Sequence, residues 1–309
     1  MSVKVIKKFP DINAPGFNFR NWDKQFRLNN VIINDIRKDA YFPLHWTTFS
    51  MKCAFGGTEK YVLGNMKYSV GEDTYLLLNE DTLYESIIDS ESSVESFTLN
   101  FTRNFVNDVF YSISRRDECL LDNPVRINEE GLNFYEKLYP HNPQMLGFLK
   151  GLREFIRSDL TDLQQLDEYF HFILEFLFSE HMNTIMQIKL LDEKKLSTRQ
   201  EIFRRLNLAK DYMHSNYGEK IELNDLGKIS NLAPHYLLRK FKKHFGITPH
   251  RYLTSRRLEK AKEFLLNSDK PVTEICIEVG FESLSSFCAL FKKHYKLPPE
   301  KYKYSVPAG

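Results

Sequence analysis

The sequence predicts a two-domain α+β protein: a β-rich amino-terminal domain with helices at its end, followed by an all-α carboxy-terminal domain. Its 309 residues are enough for two domains of ordinary size. Short β-rich runs separated by turn residues fill the first third, as in a barrel or a sandwich, and we expect this pattern to last to about residue 131. Helical periodicity then takes over, and the last third contains a repeated pair of helices.

Glycine-containing turns divide the first third into strands. Gly56-Gly57, Gly64-Asn65 and Gly71-Glu72-Asp73 are spaced as in consecutive hairpins. Between Phe97 and Thr102, apolar and polar side chains alternate. This alternation predicts a strand with one buried face and one face in contact with solvent.

Two amphipathic helices are predicted next, from Met145 to Ile156 and from Leu163 to Leu191. Apolar residues of the second helix recur every three or four positions. Such a stripe usually packs against its own domain, and a seam between two copies of the chain is the alternative. The residues of the stripe are Leu166, Phe170, Ile173 and Leu177.

A polar segment at residues 193–201 is predicted to link a first domain, residues 1–192, to a second domain, residues 202–309. Two overlapping capping boxes, Ser197 to Gln200 and Thr198 to Glu201, predict that a helix begins in this segment.

Composition excludes several classes of protein. Hydrophobic residues make up 42% of the chain, which excludes a wholly disordered protein. The longest nearly apolar run is too short to span a bilayer, and the first residues lack the apolar segment of a secretion signal. The cysteines are far apart and contain no CxxC pair, so we expect a cytoplasmic protein with neither a disulfide framework nor a structural zinc site. They are Cys53, Cys119, Cys276 and Cys288.

Charge is distributed unevenly along the chain. From Gln200 onward there are 20 Lys and Arg against 12 Asp and Glu, whereas the preceding residues hold 23 against 29. A basic segment attached to an acidic body is typical of a nucleic-acid-binding module joined to another domain.

The last third contains an internal repeat. Residues 241–252 recur fifty positions later as residues 291–302, with Phe, Lys, Lys, His, Pro and Tyr in register. Each copy ends a pair of predicted helices, whose turns contain Asn231 in the first pair and Gly280 in the second. Both residue types tolerate a left-handed backbone, so the pattern predicts two helix-turn-helix units.

Other residues of the repeat support this interpretation. Gly227 and Cys276 are small, and they lie where the two helices of each pair must approach closely. Pro234 suits the first turn of a helix. Residues 252–267 predict a stiff connecting helix without glycine or proline. That helix would place the two units on adjacent major-groove segments, about 34 Å apart.

The second helix of the first unit has two faces. Leu237 and Phe241 are expected to face the core, whereas His235, Arg239 and Lys242 form an outer basic stripe. A basic stripe on such a helix can enter the major groove and meet phosphates and base edges. Together with the duplication and the charge, it predicts DNA binding.

The pattern resembles a known family. The segments 258–265, 272–281 and 287–293, together with Pro298-Pro299, are similar to the AraC/XylS family of bacterial transcription regulators. The resemblance covers residues 219–304 and implies one DNA-binding domain with two helix-turn-helix units. It also implies that the β-rich region is a cupin-like barrel that senses an effector and dimerises.

Some residues depart from the family pattern. Ala233 replaces the usual serine cap, while Leu284 and Ala289 replace polar residues of the second recognition helix. The resemblance implies that some residues of the two recognition helices contact bases, and the neighbouring lysines supply positive charge. The complete predicted DNA-binding set is His235, Leu238, Arg239, Lys242 and Lys243 in the first unit, and Ser285, Ser286, Ala289, Lys292 and Lys293 in the second.

We therefore expect a sequence-specific transcriptional regulator controlled by a small molecule in its amino-terminal domain. Aromatic residues, 14% of the chain, suit an apolar pocket, and His45 and Trp46 are its candidate lining residues. The alternative is a DNA-binding regulator controlled only by protein contacts. Double-stranded DNA and a small-molecule effector are the predicted partners. RNA polymerase and a second copy of the chain are further candidates.

A cupin-type enzyme is the third hypothesis. Metal sites of that kind need several histidines with a carboxylate, yet His45 is the one histidine in the first 140 residues. Glu168 and His171 have the spacing of a di-iron motif, but no second copy accompanies them. We therefore predict no catalytic residues, no metal ligands and no cofactor.

Overall fold

The computed structural model describes residues 3–11, 14–116, 133–158 and 162–304. The chain divides into two compact units, residues 1–190 and 191–309. The first unit is rich in sheet and carries helices, and the second is helical, so the two-domain α+β prediction is confirmed. No helix in the described part of the chain is long and apolar enough to cross a membrane.

Eight strands in the described part of the first unit form one sheet in the order β1-β2-β7-β3-β6-β8, and β4 pairs with β5 and β7. All pairs are antiparallel except β1 with β2. The predicted glycine turns separate β3, β4, β5 and β6. The strands are β1 (Val3–Ile6), β2 (Asn30–Trp46), β3 (Phe49–Phe55), β4 (Glu59–Leu63), β5 (Met66–Val70), β6 (Thr74–Leu78), β7 (Leu83–Phe101) and β8 (Leu138–Pro140).

The expected cupin-like barrel is not confirmed, because the sheet of the described residues is not closed and β1 and β8 end an open strand order. Two strands are also much longer than expected: β2 has 17 residues and β7 has 19. Their shared ladder shifts register between Arg37 and Asp39 and again between Phe42 and His45. Such irregularities bend strands, so two long strands curve the sheet where several short ones were expected.

The last part of β7, residues 94–101, is buried on both faces, which corrects the prediction of a half-exposed strand there. Phe97 and Leu99 are completely buried, and the alternating residues Thr98 and Asn100 are only 4% and 3% exposed. The reason is that apolar clusters cover both faces of the sheet, one containing Phe97 and the other Val94.

In the described residues, four helices accompany the sheet. The predicted apolar stripe of α4 is buried in the same cluster as Phe97, so it packs within its own unit and does not form a seam between two copies. We expected the β-rich pattern to last to about residue 131, but a helix already begins at Arg103. Residue 131 and Cys119 lie outside the described residues. The helices are α1 (Phe19–Leu28), α2 (Arg103–Arg116), α3 (Pro143–Arg157) and α4 (Leu163–Lys189).

The second unit consists of seven helices in the residues described. The central helix, α8, buries Leu258, Ala261 and Leu265 against residues of the last three helices. Buried Arg256 contacts Nε2 of His214 at 2.9 Å, which ties α8 to α5. The helices are α5 (Leu196–Ser215), α6 (Leu223–Ser230), α7 (Pro234–Phe245), α8 (Pro249–Asn267), α9 (Val272–Glu278), α10 (Leu284–Tyr295) and α11 (Pro299–Lys303).

The start of α5 differs from the prediction. The helix begins at Leu196 after Lys195, which makes no side-chain cap hydrogen bond, so neither predicted capping box sets the start. Much of the predicted linker, residues 193–201, is therefore helical. A side-chain contact accompanies this earlier cap position, which lies two residues before Ser197: Arg199 Nε donates to the Glu193 carbonyl oxygen at 2.6 Å.

Candidate functional site

Tight turns separate the two helices of each pair. Asn231 ends α6 in the left-handed conformation with φ of 51°, and Gly280 lies between α9 and α10 with φ of 87°. A Cβ atom on Gly280 would lie 2.8 Å from the Gly218 carbonyl oxygen and 2.9 Å from Nη2 of Arg257. Glycine is required at position 280 both by its backbone conformation and by this close approach.

Small residues lie where the paired helices meet, as predicted. A Cβ atom on Gly227 would lie 2.9 Å from the Leu232 carbonyl oxygen, so no larger residue fits without a shift. Cys276 holds the corresponding position of the second pair and is 2% exposed. Burial raises the pKa of its thiol.

α7 separates its apolar and basic residues. Leu237 and Phe241 are completely buried, whereas His235, Arg239 and Lys242 are exposed and Leu238 is half-buried. The Arg239 guanidinium lies 5.5 Å from the centre of the Tyr236 ring. The helix therefore presents a cationic surface opposite the side that anchors it.

Two acidic residues contact this same helix. We call Asp192 and Glu193 the acidic pair. The Lys243 ammonium lies 2.7 Å from both carboxylate oxygens of Asp192. Lys240 forms an ion pair with Glu193, and Tyr236 donates a hydrogen bond to the same carboxylate at 3.1 Å.

The ion pairs shift the pKa of each partner. The hydrogen bond from Lys243, assisted by the charge of Lys240, lowers the pKa of Asp192. Partial burial acts to raise the pKa of Glu193, but hydrogen bonds from Lys240 and Tyr236 outweigh it and lower that pKa. The hydrogen bond to Glu193 raises the pKa of Lys240. All of these shifts favour the charged forms, so the contact is electrostatic at neutral pH.

Sequence reasoning missed the acidic pair, Lys240 and Tyr236. Adjacent acids at 192–193 and two lysines one helical turn apart were the available signal. The two groups are more than forty residues apart in the chain, and no local pattern brings them together.

α10 buries Phe287 and Phe291 and exposes the predicted contact residues. Its first turn is capped, because the Ser283 hydroxyl accepts a hydrogen bond from the Ser286 backbone N–H at 3.4 Å. The equivalent cap of α7 is Ala233, which offers no side-chain acceptor. The exposed residues are Ser285, Ser286, Ala289, Lys292 and Lys293.

The first unit contains a cavity of about 360 Å³, and both predicted pocket residues lie in its wall. The His45 ring contacts the Pro43 carbonyl oxygen at 2.6 Å and packs 4.3 Å from the Tyr84 ring. Burial lowers the pKa of His45 to about 4, so it is neutral at pH 7. Trp46 is 54% exposed at the edge of the cavity.

The cavity wall also contains Lys52, which sequence reasoning did not select. Its ammonium is buried and donates a hydrogen bond to the Tyr84 hydroxyl at 2.8 Å. Burial lowers the pKa of Lys52 to about 7, and the negative charge of Glu59 opposes this shift. The sequence signal for it was a lysine inside the mainly apolar run that forms β3.

The described residues contain no group of three or more His, Cys, Asp and Glu side chains that could hold a metal ion. His171, from the di-iron-like spacing, lies 3.5 Å from Asp167 and packs against Phe105. Glu168 is exposed. The local helical contact of His171 is therefore with Asp167.

Residues 226–304 match a family model described as a helix-turn-helix domain. The carboxy-terminal region is an AraC-type helix-turn-helix domain. The domain therefore covers both helix pairs up to α11, beginning within α6.

The relatives of this chain are named regulators. It is 32% identical over 121 residues to the probable transcriptional regulator LumQ of Photobacterium leiognathi, covering 38% of this chain and 46% of that protein. It is 24% identical over 267 residues to the HTH-type regulator YdeC of Bacillus subtilis, covering 86% and 87% respectively. The chain thus spans less than half the length of LumQ. These named relatives agree with the expectation that the chain is not an enzyme.

A solved structure has similarity to the AraC-type region. The carboxy-terminal domain of the response regulator AraT from Geobacillus stearothermophilus shares 30% identity, with a TM-score of 0.32, over 33% of this chain and 85% of that domain.

Proposed function

We propose that the chain is a sequence-specific DNA-binding transcriptional regulator in which α7 and α10 are the recognition helices of two helix-turn-helix units. The observation that carries this proposal is α7 itself, whose buried Leu237 and Phe241 anchor it while His235, Arg239 and Lys242 point outward. A helix held in this way can insert its basic face into the major groove.

Each predicted contact residue has a role in this proposal. His235, Leu238 and Arg239 meet base edges, and Lys242 and Lys243 meet phosphates. In the second unit, Lys292 and Lys293 meet phosphates. The remaining α10 residues, Ser285, Ser286 and Ala289, meet bases with less discrimination, because their side chains are short or apolar.

α8 is the spacer in this proposal. It runs unbroken from Pro249 to Asn267 and is anchored by buried side chains along its length. A stiff spacer holds both recognition helices on one face of the duplex, so we propose two half-sites one helical turn apart.

The amino-terminal unit is the control element in this proposal, with a cupin-like but open sheet. The 360 Å³ cavity favours a small-molecule effector, because its volume is within the range of ligand pockets. Control by protein contacts alone stays the alternative, and RNA polymerase and a second copy of the chain are the candidate partners. The proposed place of action is the cytoplasm.

Selection of binding sites from random DNA with the full-length chain tests DNA recognition. We expect an enriched motif, and we expect its affinity to fall steeply with salt because phosphate contacts release counterions. The Arg239→Ala, Lys242→Ala double variant should lose the motif, whereas Lys60→Ala, at an exposed site on β4, should keep it. If the folded wild type enriches no sequence, the proposal is wrong.

A further inference from the structure

The cavity of the first unit has a largely aromatic wall. The ring centres of Phe9 and Phe42 are 4.0 Å apart, and those of Trp22 and Phe26, which meet edge to face, are 5.6 Å apart. These four side chains line the cavity. Such a wall favours an apolar body and offers few partners to a sugar or another polyhydroxylated molecule.

One part of the wall is cationic. Lys52 is 3% exposed, and no carboxylate in the described residues lies within ion-pair distance of its ammonium. The ammonium has three N–H groups, and one donates to the Tyr84 hydroxyl. A buried charge without a countercharge is costly, so this site favours an anion supplied from outside.

Another polar group in the wall, a hydroxyl, has no hydrogen-bond partner among the described residues. Thr48 is 4% exposed, lines the same cavity, and has a buried hydroxyl without a hydrogen-bond partner. Unsatisfied buried hydroxyls are uncommon in folded proteins, and a bound ligand is one way to satisfy them.

We propose that the cavity binds an organic monoanion with an apolar body, whose carboxylate accepts hydrogen bonds from the Lys52 ammonium and the Thr48 hydroxyl. The inference deepens the proposed effector control and rests on it. Burial of Lys52 disfavours its charged form, and Glu59, which makes no ion pair with Lys52, offsets this only in part. The bound carboxylate would supply a countercharge in direct contact with the ammonium. A cationic ligand would instead be repelled by the same ammonium.

The chain contains its own reporter for this site. It has two tryptophans, Trp22 and Trp46, and both line the cavity. Tryptophan fluorescence of the full-length chain therefore reports on the cavity wall. Phenylbutyrate and phenylbutyramide are a suitable probe pair, because they share an apolar body and differ in the charge of one group.

We expect phenylbutyrate to bind about tenfold more tightly than phenylbutyramide, since hydrogen bonds to a charged group are stronger than neutral ones. Lys52→Met should abolish this difference, and Thr48→Val should reduce it. Lys60→Met, an exposed position on β4, is the matched control and should leave it unchanged. If Lys52→Met does not fold, the wild-type preference and the Thr48→Val effect still decide the outcome.

The inference would be overturned by equal affinity for the acid and the amide, by no binding of either, or by a preference that survives in folded Lys52→Met. A gel shift with the selected DNA separates this failure from failure of the regulator proposal. If the wild type binds DNA but shows no preference for the acid, only the proposed ligand class is wrong. If the folded wild type does not bind DNA, the proposal that the chain is a DNA-binding regulator is wrong.

Discussion

The ammonium of Lys243 on α7 is held 2.7 Å from both carboxylate oxygens of Asp192, a residue that precedes α5. Lys243 is one of the lysines that we propose to contact DNA phosphates. A phosphate must therefore compete with Asp192 for the same ammonium. Both side chains are about half exposed, so water screens the pair and a phosphate can displace Asp192.

Removing the Asp192 charge should strengthen DNA binding. We expect Asp192→Asn to raise affinity about two- to fivefold at low salt, because Lys243 is released and a repulsive charge is lost. Fluorescence anisotropy with labelled DNA measures the change. Asp269→Asn is the matched control, since it makes the same change in net charge at an exposed site between α8 and α9. Equal effects of the two substitutions would contradict a specific role for Asp192.

Arg239 and Lys242 should differ in what they contribute to recognition. We expect Arg239→Ala to relax sequence preference, because a bidentate contact to guanine is worth roughly 1–3 kcal/mol of discrimination. Lys242→Ala should instead weaken binding to all sequences alike and reduce the salt dependence. Binding to a panel of single-base variants of the selected site measures both. If neither substitution changes the order of preference, Arg239 contacts only phosphate.

The two half-sites should differ in information content. His235 and Arg239 can discriminate between bases, whereas Ser285, Ser286 and Ala289 have short or apolar side chains. We therefore expect one sharply defined half-site and, one helical turn away, a more degenerate one. The aligned sequences from random selection give this result directly. Equal definition of both halves would mean that DNA shape or backbone contacts supply the specificity.

The helix caps of α7 and α10 give a stability prediction. Ala233→Ser should raise the free energy of unfolding by about 0.5–1 kcal/mol, because a hydroxyl would accept from a free N–H of the first turn. Ser283→Ala should lower it by a similar amount, since it removes the bond to Ser286. Urea unfolding followed by helical circular dichroism measures both. Changes of the same sign would show that these caps do not act through their hydroxyl groups.

Buried Lys52 should make stability depend on pH. Its folded-state pKa is lowered from 10.5 to about 7, so between these values the unfolded chain binds a proton that the folded chain does not. This group therefore makes the wild type more stable as pH rises through that window, and its full cost is present below pH 7.

The Lys52→Met variant lacks this titration. Its stability advantage over the wild type should be largest below pH 7 and shrink towards pH 10.5. Urea unfolding of both proteins across this range measures the difference, and Lys60→Met should show no such trend. An advantage that stays constant with pH would contradict the lowered pKa.

The sequence was most informative about the second unit. Asn231 and Gly280 marked the two turns because each backbone there is left-handed, a conformation that few residue types adopt easily. The two faces of α7 followed from helical period alone, and Leu237 and Phe241 are buried as that period predicts. Such features depend on neighbours a few residues apart, which a single sequence displays.

It was less informative about the sheet. Short runs and turns predicted strands, but not that β2 and β7 would pair along most of their length and stay open at β1 and β8. His45 and Trp46 were selected as pocket residues and lie in the cavity wall, whereas Lys52 was missed. Its neighbours in the cavity come from β2, β7 and α1, which local periodicity does not relate to β3.

The sequence by itself therefore determined the helix pairs, their turns and the outward basic face of α7. Only the tertiary structure decided that Asp192 and Glu193 form ion pairs with Lys243 and Lys240 of α7 and that Lys52 lies buried beside Tyr84. The physical reason is range. Turn conformation and helical faces arise from residues within one or two turns, whereas these ion pairs and the Lys52–Tyr84 contact join residues at least 32 positions apart.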